Sequence, residues 1–294
     1  MTDHDNRYDR QKLAFGQEGH DKVAATRVAI VGLGGTGCHV AQQLAYLGVK
    51  DIVLIDDDVV EETNLNRLVG ATMQDALERR PKVEVIGRHV RAINEHVQLT
   101  MLKRNLMTTE ALELLIAGPD VVFGCVDNDA ARFVLNHLAA AYGKPLIDVA
   151  SEIIVDRDGK LKEFGGRVIV ALPGTFCLLC AGEIDLEAAK QALESPEERA
   201  YREKHGYGLG PQARSPSVVS MNGVVSSLAV GEFIALVTGL RPPERMLTYH
   251  GMRGVVTKSS DTKRPECRIC NDLVGKRDAA DIMRFVDRSK RSPG

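Results

Sequence analysis

Residues 28–58 read VAIVGLGGTGCHVAQQLAYLGVKDIVLIDDD, and the fold class turns on them. An apolar run at 28–31 enters a glycine turn, and a helical pattern at 35–48 follows, with Val40, Leu44 and Leu47 on one face. A second apolar run at 52–55 ends in the acids Asp56, Asp57 and Asp58. Strand, glycine turn, helix, strand and terminal acid is how a dinucleotide-binding fold begins. Gly32, Gly34 and Gly37 form the G-x-G-x-x-G spacing, with Gly35 in the same turn. Glycines there let the backbone approach a phosphate, and the helix start offers it free N–H groups. Asp56, at the end of the second strand, stands where an acid accepts from ribose hydroxyls. The plain alternative is a tight strand-to-helix turn with no ligand. The pattern implies a nucleotide and leaves open whether the chemistry is redox.

Composition sets the outer limits. A chain of 294 residues, 44% hydrophobic, can bury a full core as one large domain or two small ones. Lys and Arg total 38 against 40 acids, a net charge of −2, so no global field draws the chain to DNA or to a membrane surface. No continuous apolar run reaches membrane-span length, and the start MTDHDNRYDRQK lacks a signal-peptide apolar core. The six cysteines are few for a secreted disulfide scaffold of this length, so a cytoplasmic chain with metal-binding or buried thiols is the expectation.

Along the chain, strands alternate with helices, which favours a largely parallel sheet covered by helices. PKVEVIGRHVRAIN (81–94) reads as a helix, VQLTMLKRNL (97–106) as a strand, and TTEALELLIAG (108–118) as a helix opened by a capping-box pattern. DVVFGCVD (120–127) reads as a fourth strand, 129–142 as a helix and PLIDVA (145–150) as a fifth strand. Beyond 150 the pattern changes to strands joined by an Asp-Gly turn, expected to be antiparallel. Residues 183–216 are polar and then Gly/Pro-rich, expected to be a helix plus a mobile loop.

The residues after the acids do not suit a hydride-transfer site. Asn64 and Arg67 follow in DDDVVEETNLNR (56–67), Lys82 opens PKVE (81–84), and Asp127 closes the fourth strand. Carboxyl ends of strands in an open parallel sheet face the ligand crevice. An amide, a guanidinium, an ammonium and a carboxylate delivered to one edge suit cleavage of a triphosphate, where charge develops on the α-phosphate and on departing pyrophosphate. Asp127 there would hold Mg²⁺, a hard cation that takes oxygen ligands. Singly, Lys82 and Arg67 would read as solvated surface charges.

Cys177-x-x-Cys180 and Cys267-x-x-Cys270 form two knuckles separated by a long insert. Four thiolates at such spacing suit tetrahedral zinc; two disulfides or free thiols are the rival readings. Cys38 and Cys125 fall in apolar contexts and read as packing residues.

Taken together, RYDRQ (7–11), GLGGTG (32–37), DDDVVEETNLNR (56–67), PKVE (81–84), CVDND (125–129) and the paired C-x-x-C motifs, in this order, resemble the ThiF/MoeB/HesA superfamily of ubiquitin-activating-enzyme-like adenylyltransferases. The resemblance covers residues 7 to about 275. It implies one adenylyltransferase domain over 1–275, with an ATP-binding Rossmann-like half at 27–150. An extension at 151–275 carries a crossover loop and zinc knuckles, and 276–294 form a tail. The implied fold is α/β: a Rossmann-like half extended by antiparallel strands into one mixed sheet flanked by helices, with structural zinc held by Cys177, Cys180, Cys267 and Cys270.

The implied reaction joins ATP to the C-terminal glycine carboxylate of a ubiquitin-like protein, giving acyl-AMP and pyrophosphate. By position, Asp58 would contact ribose, Asn64, Arg67 and Lys82 would attend the triphosphate, and Asp127, followed by Asn128, would support Mg²⁺. Arg10 would cross a homodimer interface to the partner's ATP. Leu68 departs from the pattern, since many relatives carry Gln after the arginine.

Relatives that carry their substrate onward as a thioester hold a cysteine in the crossover loop, and 182–218 contain none. The expectation is adenylation without a thioester on that loop, the activated carboxyl passing to a sulfur donor, a carrier or an amine. Ser215 or Ser217 as an oxyester nucleophile is the lesser reading. A short peptide or a modified tRNA as substrate, a non-catalytic nucleotide-binding scaffold and a plain NAD enzyme are the alternatives.

Overall fold

The computed structural model describes residues 6–156, 158, 160–194 and 216–286. Its helices are α1 (Asp9–Ala25), α2 (Gly35–Leu47), α3 (Met73–Leu77), α4 (Lys82–Ile93), α5 (Thr109–Ala117), α6 (Asp129–Tyr142), α7 (Leu178–Ala181), α8 (Leu186–Ala192) and α9 (Val219–Thr238). The strands are β1 (Arg27–Val31), β2 (Asp51–Ile55), β3 (Gln98–Leu102), β4 (Val121–Gly124), β5 (Leu146–Val155), β6 (Leu161–Ala171), β7 (Met246–His250) and β8 (Val255–Lys258).

All the described strands join one eight-stranded sheet in the order β3-β2-β1-β4-β5-β6-β7-β8. Pairing is parallel from β3 through β5 and antiparallel from β5 through β8. This is the mixed sheet expected from the sequence. β1 has β2 on one side and β4 on the other, so the chain reverses its winding at β1, and the crevice beyond the carboxyl ends of β1 and β4 is the ligand position of such sheets.

Strand side chains alternate between two apolar layers, as a period of two dictates. Ala29, Val31, Val53 and Ile55 pack with Leu112, Leu115, Val134 and Leu138 of α5 and α6. Val28, Ile30, Ile52 and Leu54 pack on the other face with Val40, Leu44, Ile86, Val90 and Phe233 of α2, α4 and α9.

Several elements differ from the sequence expectation. β5 does not stop at residue 150: it is one strand of 10 residues whose first part is fully buried and whose second part, in the hairpin with β6, is largely exposed. The change of pattern marks a change of environment within one strand. At the hairpin tip, Arg157 and Gly159 lie outside the described residues, and the Asp156 carboxylate accepts from the N–H groups of Asp158 (3.0 Å) and Lys160 (2.8 Å). β4 ends at Gly124, so Asp127 stands in the loop to α6. Residues 195–215, which include the expected mobile loop and Ser215, lie outside the described residues.

No element was assigned from sequence to α1, α9, β7 or β8. α9 has 20 residues with a mean hydropathy of 1.5, long and apolar enough by composition to cross a membrane. Its polar residues Asn222, Ser226 and Glu232 interrupt the apolar run, yet all three are buried against the protein. The Ser226 hydroxyl donates to the Thr36 carbonyl (3.0 Å), and Glu232 pairs with Arg241 (2.6 Å). Val225, Ala229 and Phe233 face the sheet, so α9 is a core helix here.

The start of α2 is pressed against the end of β1. A Cβ on Gly37 would lie 1.9 Å from the Gly32 carbonyl oxygen, and backbone cannot yield there. Gly37→Ala is therefore expected to destabilise by about 3 kcal/mol, as overpacking at a rigid contact does. A chemical-denaturation midpoint equal to that of the parent protein would contradict this contact.

Candidate functional site

The glycine turn carries three different constraints. Gly32 has φ +87, a left-handed conformation that disfavours side chains, and a Cβ there would lie 2.5 Å from the Cys125 carbonyl oxygen. Gly35 is covered by the side-chain amide of buried Asn222 on α9. Gly34 differs: its backbone is extended, and a Cβ would meet no atom of the described residues within 4 Å. No side chain caps α2 at Gly34, and the first-turn N–H groups have no intrahelical acceptors. An uncapped helix start of this kind is a ready anion site.

The acids at the end of β2 flank this space. Asp56 accepts from the N–H of Leu33 (2.6 Å) and from that of Asp58 (2.8 Å), so it braces the glycine turn against β2. Burial raises its pKa, partly offset by the charge of Lys82. Both its oxygens are engaged by the chain and keep lone pairs for a ribose hydroxyl. Asp58 pairs with Lys82 at 2.7 Å; its carboxylate side chain is 66% exposed while that of the lysine is 11% exposed. The Lys82 N–H also donates to the Asp58 carbonyl (3.0 Å), which fixes the start of α4 beside the acids.

Asn64 and Arg67 do not come from strand ends. They belong to the connection between β2 and α3, where the Asn64 side chain accepts from the Glu61 N–H (3.0 Å) and closes a one-turn 3₁₀ helix, Glu62–Asn64. The Arg67 guanidinium donates to the Thr63 carbonyl (2.6 Å) and to Asn66 (3.0 Å). Cys38 ties this turn to α2: its Sγ lies 3.6 Å from the Arg67 carbonyl oxygen and accepts from the Val69 N–H (3.3 Å). Leu68 is buried in the core against the α2 layer, which accounts for an apolar residue there.

On the other side of the crevice, the Cys125 N–H donates to the Val31 carbonyl (2.8 Å) and sets the exit of β4. Asp127 is exposed in the loop that follows. Asn128 caps α6 through its side-chain oxygen, which accepts from the Ala131 N–H (2.8 Å). The Arg132 guanidinium donates to the Val126 carbonyl (3.1 Å). Arg10 is exposed on α1.

Burial pushes the Cys38 thiol up to about 11 and the Cys125 thiol further still. Both are packing residues held as neutral thiols, as their apolar context suggested.

The four knuckle cysteines converge. Their sulfurs lie within 4.8 Å of one another, with Cys177–Cys180 at 3.7 Å, Cys177–Cys267 at 3.6 Å and Cys180–Cys270 at 3.7 Å. A tetrahedral ion with Zn–S of about 2.3 Å separates its sulfurs by about 3.8 Å, so the tetrad fits zinc. No disulfide joins any of them. A hydrogen bond from Cys270 lowers the Cys177 thiol, while burial raises that of Cys267 and the contact with Cys177 raises that of Cys270, so the sulfurs share their protons within one cluster. The buried Asn136 side chain accepts from the Leu178 N–H (3.1 Å) and orients the first knuckle.

Sequence reasoning missed Asn222, Arg132, Asp148 and Arg167. Asn222 takes a hydrogen bond from Ser151 (2.6 Å) and donates to Ser217 (3.1 Å) while covering Gly35. The one signal available was a polar residue inside an apolar helix.

With this geometry in hand, the family follows. The ThiF family model matches residues 8–269, and the chain belongs to that family. Its class is that of the ThiF/MoeB-type adenylyltransferases. The chain is 39% identical over 59% of its length to the "Sulfur carrier protein ThiS adenylyltransferase" of Escherichia coli, spanning 65% of that protein. It is 30% identical over 90% of its length to the E. coli "Molybdopterin-synthase adenylyltransferase", spanning 95% of it. To the "SAMP-activating enzyme E1" of Haloferax volcanii it is 28% identical over 91% of its length, spanning 89% of it. Among solved structures, E. coli MccB matches in fold with a TM-score of 0.70 at 21% identity, covering 93% of this chain and 74% of that one.

Two outcomes are expected. Purified protein should hold one zinc per chain by elemental analysis, and Cys267→Ser should lower the unfolding temperature; metal-free protein of unchanged stability would contradict the site. Gly34→Ala should leave the unfolding temperature unchanged, since its Cβ meets no atom of the described residues, yet weaken ATP binding by about tenfold by filling the anion space.

Proposed function

We propose that the chain is an ATP-dependent adenylyltransferase that activates the C-terminal carboxylate of a ubiquitin-like protein, acting in the cytoplasm as a homodimer. The observation that carries this reading is the uncapped start of α2 at Gly34, tied through the Leu33 N–H to Asp56 and from there to the Asp58–Lys82 pair. The relatives named for sulfur carriers and for SAMP activation support the substrate class.

A C-terminal carboxylate is ionised at pH 7 and needs no general base. One of its oxygens attacks the α-phosphorus. A new P–O bond forms, the bridging P–O bond to the β-phosphate breaks, and its electron pair leaves with pyrophosphate. Two anions must be brought together, so catalysis rests on placement and charge. The α2 N–H groups hold phosphate oxygens. Asp58 turns from Lys82 to the ribose, and the freed ammonium of Lys82, with Arg67 and Asn64, meets the phosphates. Asp127 would hold Mg²⁺, which when bound offsets phosphate charge. Arg10 of the partner subunit completes the cation set.

The alternative substrate is a short peptide or a modified tRNA. The structural neighbour MccB, solved in complex with N-formylated MccA, gives the peptide reading its support. The acyl-adenylate then passes to a sulfur donor, a carrier or an amine, since residues 182–218 offer no thiol.

ATP–pyrophosphate exchange with candidate ubiquitin-like proteins and peptides tests the reading. Lys82→Ala and Asp127→Ala should each lose about 2.7–4 kcal/mol of transition-state stabilisation, while Cys38→Ser and Cys125→Ser should stay near the parent rate. A thiol-sensitive adduct with the substrate protein, lost in one of those cysteine variants, would overturn the thioester-free route. Mixing Arg10→Ala chains with Asp127→Ala chains should restore exchange at one hybrid site; hybrids that form and stay inactive would refute the shared site.

A further inference from the structure

Beneath the Asp127 loop runs a chain of charges that the proposed mechanism leaves unused, Asp148 and Arg167 buried and Arg132 and Glu183 part-exposed at its ends. Asp148 lies on β5 beside Gly124 and is 1% exposed. Its Oδ1 accepts from the Arg167 guanidinium at 2.5 Å and lies 3.8 Å from Nε of Arg132. Arg167, on β6, donates from its other side to Glu183 at 2.5 Å. Glu183 follows Gly182 at the end of α7, and its N–H donates to the Leu178 carbonyl (3.1 Å), so the first cysteine knuckle fixes its position.

At the other end, Arg132 holds the Val126 carbonyl (3.1 Å) and Asp129 (3.5 Å), the residues on both sides of the Asp127–Asn128 pair. Among the described residues, Asp148 Oδ2 and Arg132 Nε are both buried and find no hydrogen-bond partner. Leaving polar atoms of an ion pair so enclosed costs free energy, and a purely structural core would be served as well by apolar groups. Gly124 leaves the room: a Cβ there would lie 3.2 Å from Asp148 Oδ2.

We propose that Asp148 and Arg132 are positioning residues of the adenylation site, holding the loop that carries Asp127 and anchoring it through Arg167 and Glu183 to the first cysteine knuckle. The inference rests on the proposed function, in which Asp127 attends the Mg²⁺ of MgATP. Arg132 faces both ways: its guanidinium donates to the Val126 carbonyl of the loop, and its Nε stands 3.8 Å from Asp148, within ion-pair range. Substituting the acid by its amide keeps the volume and removes the charge that orients both arginines.

The test is calorimetric binding of ATP to the full chain, with Mg²⁺ and with chelator in its place. The parent protein should bind ATP more tightly with Mg²⁺. Asp148→Asn should keep its affinity in chelator within about twofold and lose most of the Mg²⁺-dependent gain, as Asp127→Ala does. The double variant should be no weaker than Asp127→Ala alone, since residues acting through one group are non-additive. Arg132→Gln supplies the same comparison if Asp148→Asn does not fold, and Arg132→Lys, which cannot serve both partners at once, should rescue only in part. A full Mg²⁺-dependent gain in a folded variant, or additive losses in the double variant, would overturn the positioning role alone. A parent protein that binds no ATP under either condition would overturn the proposed function, and the positioning role with it.

Discussion

The structure depends on one close approach: the first turn of α2 lies directly against the end of β1, with Gly37 over the Gly32 carbonyl and Gly32 over that of Cys125. Three chain segments meet there with no room for side chains. Because the backbone comes so near, Asp56 can reach across from β2 to hold the Leu33 N–H, and the Cys125 N–H can reach the Val31 carbonyl. The open face at Gly34 is what remains when every other direction is filled. The anion site is thus a consequence of packing, and the surrounding charges are placed relative to it by short local devices.

Those devices are of different kinds. Lys82 is fixed by a backbone bond to Asp58 and by the start of α4, Arg67 by a turn that rests on the Cys38 sulfur, and Asn128 by its duty as the α6 cap. Each uses a group that would otherwise be unsatisfied at an element end. The price of this economy is that several candidate site residues do two tasks, so their substitution mixes local stability with chemistry. Gly34 is the cleaner probe, because a Cβ there meets no atom of the described residues.

Much of this was legible in the sequence. The β1–α2–β2 unit, α6 at Asp129–Tyr142 and the cysteine pairs were readable because glycine spacing, helical period and C-x-x-C each have one dominant physical cause. The placement of Asn64 and Arg67 on a connecting turn was not readable, since a 3₁₀ turn held by one side chain leaves no periodic signal. α9 was missed because Asn222, Ser226 and Glu232 look like interruptions until their buried partners are known. The Asp148–Arg167 pair was invisible for a similar reason: β5 and β6 bring together residues whose sequence separation says nothing about register. Long-range polar pairing is a property of the assembled sheet, and only apolar period survives in the linear pattern.

The central claim is that the start of α2 at Gly34 receives the phosphates of ATP. A crystal structure of the protein with Mg²⁺ and a non-hydrolysable ATP analogue tests it most directly. The account predicts phosphate oxygens within hydrogen-bond distance of the α2 first-turn N–H groups, with Lys82 turned from Asp58 toward them. Nucleotide bound elsewhere, with the space above Gly34 filled only by solvent and the Lys82–Asp58 pair intact, would contradict it.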